Sequence, residues 1–189
     1  MADITYDIEA ALLADTPIPR EKVLLWIHKA EDLPTLAKLY QLTGEGYRRI
    51  QPDLGKEVTC GLVQRYLLQC IKANVTNHED ILSQWQAAQV LHGWFCRLQE
   101  MEEDNSAVLK TAADAITALF LASGEEVRNA IETGFLEHAL ETAALRPYFE
   151  HWSGDDRLRE AWNRALEWGK AHPDFTRGLL QQRRKTHEK

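Results

Sequence analysis

"SAVLKTAADAITALFLASGEEVRNAIETGFLEHALE", residues 106–141, is the stretch that decides the fold class. Strong helix formers dominate it, and its apolar residues recur every three or four positions. In the second half these apolar residues are Val127, Ile131, Phe135, Leu136 and Leu140. Such spacing places them on one face of an α-helix, so we predict that they are buried and that the carboxylates between them lie in water.

The middle of this stretch carries signals for the ends of helices. Gly124 follows a predicted helix, Ser106–Ala122, and suits the left-handed position after a helix. Ser123 and Glu126 have the spacing of a capping box for the next helix. Gly134 then interrupts the second apolar stripe. We therefore predict two short helices that are bent at Gly134.

Helical periodicity continues along nearly the whole chain, and no stretch reads convincingly as a strand. Pro19 and Pro34 suit the first turns of two helices. Asn77 is a predicted N-cap of a central helix of more than 20 residues. Gly169 and Pro173 are predicted to end the last helix.

The fold class that follows is all-α. With 189 residues and 44% apolar residues, the chain fits one globular domain. Short connections between the helices favour antiparallel neighbours. We predict an irregular multi-helix bundle of antiparallel helical hairpins over residues 1–175. Residues 176–189 are predicted to form a basic, frayed C-terminal tail.

Charge is distributed unevenly along the chain. The net charge is −7, and the segment from Glu100 to Glu160 holds 14 acidic and 5 basic residues. Such a segment repels a phosphate backbone and attracts a basic surface. We therefore expect no nucleic-acid partner and expect another protein with a basic surface.

Several function classes lack support in the sequence. No apolar run is long enough for a membrane span, and the acidic N-terminus does not resemble a secretory signal. Three cysteines without a CxxC spacing predict buried free thiols in a reducing compartment. These are Cys60, Cys70 and Cys96. The prediction is a cytoplasmic protein with no membrane association.

Chemical motifs are also scarce. No nucleotide-binding loop or HExxH zinc motif occurs, and "GEGYRR", residues 44–49, is interpreted as an interhelical turn. His138 and Glu141 are spaced to share a helix face, but Glu150 and His151 are adjacent and diverge. We therefore predict no metal, no cofactor and no catalytic residues.

One segment resembles known families. Residues 112–141 are similar to an armadillo/HEAT-type unit, in which a helix rich in small residues is followed by a cap, a short helix, a Gly and another helix. The matching positions are Ala112, Ala115, Leu119, Gly124, Val127, Ile131, Gly134 and Leu136. The phrase from Val127 to His138 also resembles a segment of small bacterial helical proteins, some of which are thought to be immunity proteins of polymorphic toxins. Both resemblances imply a HEAT-like second half and a binding surface.

The leading functional hypothesis is a protein-binding protein that acts through an acidic surface, in its sharpest form an immunity-type inhibitor of a basic toxin or enzyme. Six tryptophans occur in the chain, and two of them fall off the apolar stripes, where Trp would serve as a binding anchor. The candidate partner-binding residues are Glu126, Glu132, Glu137, Glu141, Trp94 and Trp168.

Two alternatives stay open. The first is a helical-bundle enzyme or small-molecule-binding protein with a pocket near His92, which Cys96 and Tyr66 would help to form. His92 shares a predicted inner helix face with Trp85 and Phe95, so a packed core histidine is the simpler interpretation. The second alternative is an oligomerisation module that uses exposed Trp faces.

Overall fold

The computed structural model describes residues 4–75 and 80–172 and is all-α apart from one pair of very short strands, which confirms the predicted fold class of a multi-helix bundle. Packing divides the chain into two compact units, Met1–Ala87 and Ala88–Lys189. The predicted bounds of a single domain, 1–175, and of a basic tail, 176–189, stay predictions, and the tail lies outside the described residues.

The first unit is built from four complete helices and the first turn of a fifth. Asp32 caps the third of these helices, since its side chain accepts a hydrogen bond of 2.8 Å from the Thr35 amide, and Pro34 lies in the first turn as predicted. Pro19 directly precedes the second helix. The helices are α1 Ile4–Leu13, α2 Arg20–Lys29, α3 Leu33–Glu45 and α4 Lys56–Ala73.

Two short strands, β1 Ile18–Pro19 and β2 Ile50–Gln51, pair in parallel in the first unit. The sequence predicts no strands, and this pair shows that the prediction is wrong for these two segments. A strand of two residues is too short to show an alternating pattern, so the sequence carries no signal for it.

An arginine side chain closes the C-terminal end of α1 in this unit. Arg49, in the 3₁₀ turn Tyr47–Arg49, donates to the carbonyl oxygens of Leu12, Ala11 and Ala14 at the end of α1. "GEGYRR" thus does include an interhelical turn, but Arg49 is turned towards a helix end and not towards water. A guanidinium suits the last turn of a helix because the final carbonyl groups lack backbone partners.

α5 spans Gln84–Glu100 and begins in the first unit. It is shorter than predicted, because residues 80–83 are not helical and Ser83 bonds the Gln86 side chain just before the first turn. The predicted N-cap, Asn77, lies outside the described residues.

The second unit contains one long continuous helical rod. Residues 125–141 run through α7 Glu125–Ile131, a π-helical turn Glu132–Leu136 and α8 Glu137–Glu141 without a break. In the turn the Glu137 amide donates to the Glu132 carbonyl, five residues earlier. The two short helices predicted here, α7 and α8, are therefore joined through Gly134 by a wider turn that holds the extra residue, and a bend at Gly134 stays a prediction.

α6 Ser106–Ala122 has the predicted bounds, but two end signals next to it act differently. Gly124 has a φ of −76° and a ψ of 178°, an extended conformation that suits an N-cap residue. Gly124 is itself the N-cap of α7. The predicted left-handed conformation of Gly124 is therefore wrong, and so is the predicted capping box of Ser123 and Glu126.

α9 Arg159–Ala171 packs against α8 and continues past Gly169, which was predicted to end it. A Cβ atom on Gly169 would lie 3.1 Å from the Glu141 nitrogen and 3.2 Å from the Leu140 carbonyl carbon. Gly169 thus allows two helices to approach closely, which a reading of one helix alone does not reveal.

An aromatic core fills the second unit. The Phe135 ring lies 5.0 Å from the Phe95 ring and 5.5 Å from the Phe149 ring, both edge-on. Four of the five residues predicted to be buried in the opening stretch are at most 1% exposed, whereas Val127 is only half-buried. In the described residues no helix is long and apolar enough to cross a membrane.

Candidate protein-binding surface of the second unit

Among the four predicted partner-binding carboxylates, only Glu126 is exposed. It lies in the first turn of α7, directly after the exposed Glu125. Negative charge at this position also suits the positive end of the helix dipole. The expectation that this carboxylate lies in water is confirmed.

Glu132 is 7% exposed, so its expected position in water is wrong. Its two carboxylate oxygens accept hydrogen bonds of 2.6 and 2.8 Å from Nε and Nη2 of Arg164 on α9. A second carboxylate, that of Glu160, also bonds Arg164. The face of the rod that appears polar in isolation is covered by α9, and the arginine compensates the buried charge.

Glu137 and Glu141 are also shielded from water. Burial raises the pKa of Glu137, an effect that the neighbouring His138 opposes. The Glu141 side chain is 4% exposed, although its backbone leaves the residue as a whole partly accessible. Its Oε1 lies 2.8 Å from Nδ1 of His138, the geometry of an imidazole N–H that donates to a carboxylate. Both carboxylates belong to the packing between helices.

Neither predicted tryptophan anchor is well exposed. Trp94 is 7% exposed and packs edge-on against Phe95. Trp168 is half-buried, with the His138 ring edge-on at 4.9 Å and the His172 ring stacked at 4.4 Å. Trp94 is therefore buried and Trp168 only partly accessible, and their role as binding anchors stays a prediction.

Trp85, which was predicted to face inward, is 43% exposed. Trp85 is the second residue of α5, which begins at Gln84 and not at Asn77.

The histidine cluster, defined as His92, Cys96, His138 and Glu141, lies where α5 and α8 meet within the second unit. His92 is 5% exposed, its Nε2 is 3.2 Å from Sγ of Cys96, and its ring centre is 5.6 Å from that of His138. The prediction of a packed histidine is confirmed by this burial. Cys60 and Cys70 are buried free thiols as predicted, whereas Cys96 is partly exposed.

The ionisation of the cluster opposes nucleophilic chemistry. Burial, and then the proximity of His138, lowers the pKa of His92 to about 4. Burial, and then Glu100 and Glu141, raises the pKa of Cys96 to about 11. At neutral pH the pair is therefore a neutral imidazole beside a protonated thiol, whereas a reactive cysteine requires a thiolate.

Tyr66, the third residue of the alternative pocket, lies in the first unit, where its hydroxyl accepts a bond of 3.2 Å from the Leu82 amide. Burial raises the pKa of this hydroxyl above its usual range. Within residues 4–75 and 80–172, no three His, Cys, Asp or Glu side chains are arranged to hold a metal ion.

A groove of about 880 Å³ is lined in part by Glu132, the first residue of the π-helical turn, and we call it the charged groove. It is bounded by α7 and the start of α9 and does not include His92, Cys96 or Tyr66. Its lining residues are Phe120, Glu125, Glu126, Arg128, Asn129, Glu132, Arg157, Glu160, Ala161 and Arg164.

The three arginines of the charged groove are bonded within the second unit. Arg128 donates to the carbonyl oxygen of Phe120 at 2.9 Å and lies over the Phe120 ring. Arg157 forms two hydrogen bonds with Asp155, and Arg164 binds Glu132 and Glu160 as described above. The lining of the groove therefore holds four carboxylates and three guanidinium groups, and of these Arg128 bonds a neutral carbonyl oxygen.

Of the residues that line the charged groove, the sequence singles out only Glu126 and Glu132 as candidate binding residues. Glu160 and Arg164 are four residues apart on α9, a spacing that signals an ion pair. Glu132 and Arg164 are separated by 32 residues, and no local pattern joins them.

Comparison of the chain with protein-family models, with curated proteins and with solved structures gave no match.

Proposed function

We propose that this protein binds another protein that presents a basic surface, and that the acidic surface of the second unit makes the contact. The observation that supports this role is an imbalance of exposed charge. Eleven carboxylate residues are exposed in the described part of this unit. They are Glu100, Glu102, Glu103, Asp104, Asp114, Glu125, Glu126, Glu150, Asp156, Glu160 and Glu167.

The described part of the same unit also exposes seven cations, and several of its arginines bond their own chain. Arg146 donates to the Leu140 carbonyl at the end of α8 at 2.7 Å, and Arg159 donates to the Ser153 carbonyl at 3.0 Å. The three arginines of the charged groove are engaged as well. Within residues 88–172, eleven exposed carboxylates outnumber seven exposed cations, so this part of the unit has a negative surface on balance.

Such a field accelerates association with a positively charged partner and makes the affinity depend on salt. The narrower form of the proposal is an immunity-type inhibitor of a basic toxin or enzyme, and it draws support from the sequence resemblance and the negative charge. Inhibition by such a protein needs only that it covers the basic active surface of the target.

Affinity capture from the cells that produce the protein tests this role. The immobilised protein is compared with a variant in which Glu100, Glu102, Glu103, Glu125 and Glu126 are replaced by Gln. The matched control neutralises five exposed carboxylates of the first unit, namely Asp15, Glu21, Glu31, Asp53 and Glu57.

We expect the native protein and the control to retain the same basic protein, which elutes as the salt concentration rises, and the second-unit variant to release it. Circular dichroism verifies that each variant keeps its helices. Equal retention by the second-unit variant and the native protein would disprove the role of this surface.

A further inference from the structure

His92 is a buried titratable group without a partner of opposite charge. It is 5% exposed, and among the described residues no carboxylate lies within bonding distance of its ring. Glu132, which is 7% exposed, has Nε of Arg164 at 2.6 Å. A positive charge on His92 would therefore be buried and unpaired, and such a charge is costly in a protein interior.

The groups that face the His92 ring favour its neutral form. On α5 itself, Sγ of Cys96 lies 3.2 Å from Nε2, so that a protonated thiol donates to the neutral ring. From the π-helical turn the Phe135 ring is edge-on, with its centre at 6.4 Å. From α8 the ring centre of His138 lies at 5.6 Å. A proton on Nε2 would replace an accepted hydrogen bond by a charge beside a thiol, a phenyl ring and a second imidazole.

Further titratable groups surround the cluster from α5, α8 and the end of α9. They are Arg97, Glu100, Glu137, Glu141 and His172. Oε1 of Glu141 lies 2.8 Å from Nδ1 of His138, so a positive charge on His138 is compensated. His92 has no such bond, and the neighbouring group that repels its charge is His138.

The contact between His92 and His138 joins α5 to the end of the rod. α8 has five residues and lies between the π-helical turn and the turn residues 142–145. So short a segment has few hydrogen bonds of its own, and it therefore opens locally at a lower cost than a long packed helix. Opening moves His138 away and brings water to His92, which removes both the repulsion and the desolvation of a charged ring.

We propose that the contact between His92 and α8 is an acid-sensitive switch: as the pH falls, α8 opens locally away from α5 while the rest of the second unit stays folded. This inference does not rest on the proposed function. It assigns the histidine cluster a role in regulation and not in catalysis.

The pKa of His92 gives the direction and the size of the response. Burial, and then His138, lowers this pKa from its ordinary value of 6.5 to about 4 in the closed form. The open form therefore binds the proton more tightly, so acid favours opening as the pH falls between these two values. Linkage predicts that the equilibrium constant for opening increases about 20-fold from about pH 7 to about pH 5.

Native-state hydrogen exchange of the ¹⁵N-labelled full chain, measured by NMR at several pH values, tests the switch. The reporting amides are those of Ala139 and Leu140 in α8, and the reference amide is that of Ile116 in α6. After correction for the intrinsic exchange rate, we expect the protection of the α8 amides to fall about 20-fold between about pH 7 and about pH 5. The protection of the reference amide should change much less.

Two variants assign the response to His92. His92→Leu removes the titrating ring and should abolish the fall in protection of the α8 amides. His151→Gln is the matched control, because His151 is an exposed histidine of the same unit, and it should keep the native response. Equal pH responses of the native protein and His92→Leu would overturn the switch. An equal loss of protection at Ile116 would also overturn it, because the whole unit would then unfold.

The ring signals of the native protein decide the matter if His92→Leu does not fold. The ¹³C-labelled ring of His92 should keep the chemical shifts of a neutral imidazole down to about pH 5. A neutral ring together with a fall in α8 protection supports the switch. If the ring titrates near its ordinary value, or if α8 keeps its protection, the inference fails.

Discussion

The charged groove and the histidine cluster lie along the same rod, residues 125–141, and each contains one buried carboxylate. Glu132 is bound by the guanidinium of Arg164, whose side chain is 52% exposed, whereas Glu141 is bound by the imidazole of His138, whose side chain is 17% exposed. Glu132 is therefore compensated by a side chain that is open to solvent, whereas Glu141 is compensated by a side chain that is largely buried between helices. The comparison teaches that two buried carboxylates on one rod can be compensated by partners of very different exposure.

The close helix contact beside the histidine cluster should give the largest effect. Gly169→Val adds a branched side chain at a position where even a Cβ would be 3.1 Å from the Glu141 nitrogen. We expect the free energy of unfolding to fall by about 3 kcal/mol, the upper part of the range for overpacked contacts. Urea denaturation followed by circular dichroism measures this change.

Gly93→Ala in α5 is the matched control, because a Cβ there has no neighbour within 4 Å. It should raise the free energy of unfolding by about 0.5–1 kcal/mol through helix propensity alone. If both substitutions stabilise the protein, the close approach of α8 and α9 is not a constraint.

The second-largest effect is expected on acidification, which should lower the free energy of unfolding through His92. The pKa of His92 is about 4 in the folded protein and 6.5 in a model peptide, so the unfolded chain binds the proton more readily. The contribution of neutral His92 is therefore complete above the unfolded pKa and declines as the pH falls towards the folded pKa. Linkage predicts that His92 costs about 2 kcal/mol of stability between about pH 7 and about pH 5.

The measurement is urea denaturation at several pH values, compared with His92→Leu, which keeps an apolar side chain of similar size and cannot titrate. The difference between the two proteins isolates His92 from the carboxylates that also titrate in this range. Parallel pH profiles for the two proteins would show that His92 is not held neutral by its surroundings.

A smaller loss is expected on the groove side of the comparison. Arg164→Ala leaves Glu132 buried without its bidentate partner, and the half-exposed position of the arginine reduces the effect by solvent screening. We expect a loss of about 1–1.5 kcal/mol. Arg157→Ala removes a guanidinium from the same groove but only from a pair with its neighbour Asp155, so it should leave stability unchanged. Equal thermal shifts for the two variants would contradict this ranking.

The smallest effect is expected at the rim of the groove. Glu126→Gln alters an exposed carboxylate in the first turn of α7, where its negative charge interacts favourably with the helix dipole. We expect a loss of about 0.5 kcal/mol or less in urea denaturation. Glu132→Gln disturbs the buried pair with Arg164 and should lower the free energy of unfolding by more. A larger loss for Glu126→Gln than for Glu132→Gln would contradict the assignment of Glu132 as the buried carboxylate and Glu126 as the exposed one.

Local patterns predicted most of the helices. α6 has the bounds read from its sequence, and helices such as α4, Lys56–Ala73, match the helical periodicity predicted along the chain. These predictions succeed because amphipathic periodicity is a property of one helix and its environment. Helix ends were less predictable, as the start of α5 and the role of Gly124 show.

The site was much less predictable, because it depends on which helices face each other. Glu132, Glu137 and Glu141 appear to be on a polar face when the rod is considered alone, and α9 then covers that face. The pairing of Glu132 with Arg164 and the close approach at Gly169 both join residues far apart in sequence. A single sequence contains no signal for such pairs.

The π-helical turn Glu132–Leu136 has a consequence for how this rod tolerates changes in length. A π turn is a helical turn that accommodates one additional residue. If a residue such as Thr133 is deleted, the turn can therefore become an ordinary α-helical turn. Such a shortened rod keeps its hydrogen-bonding continuity and rotates its second half relative to its first by roughly a quarter of a turn. In a chain shortened in this way, Glu137, His138 and Glu141 would face a different neighbour, so the histidine cluster depends on the extra residue of the π turn.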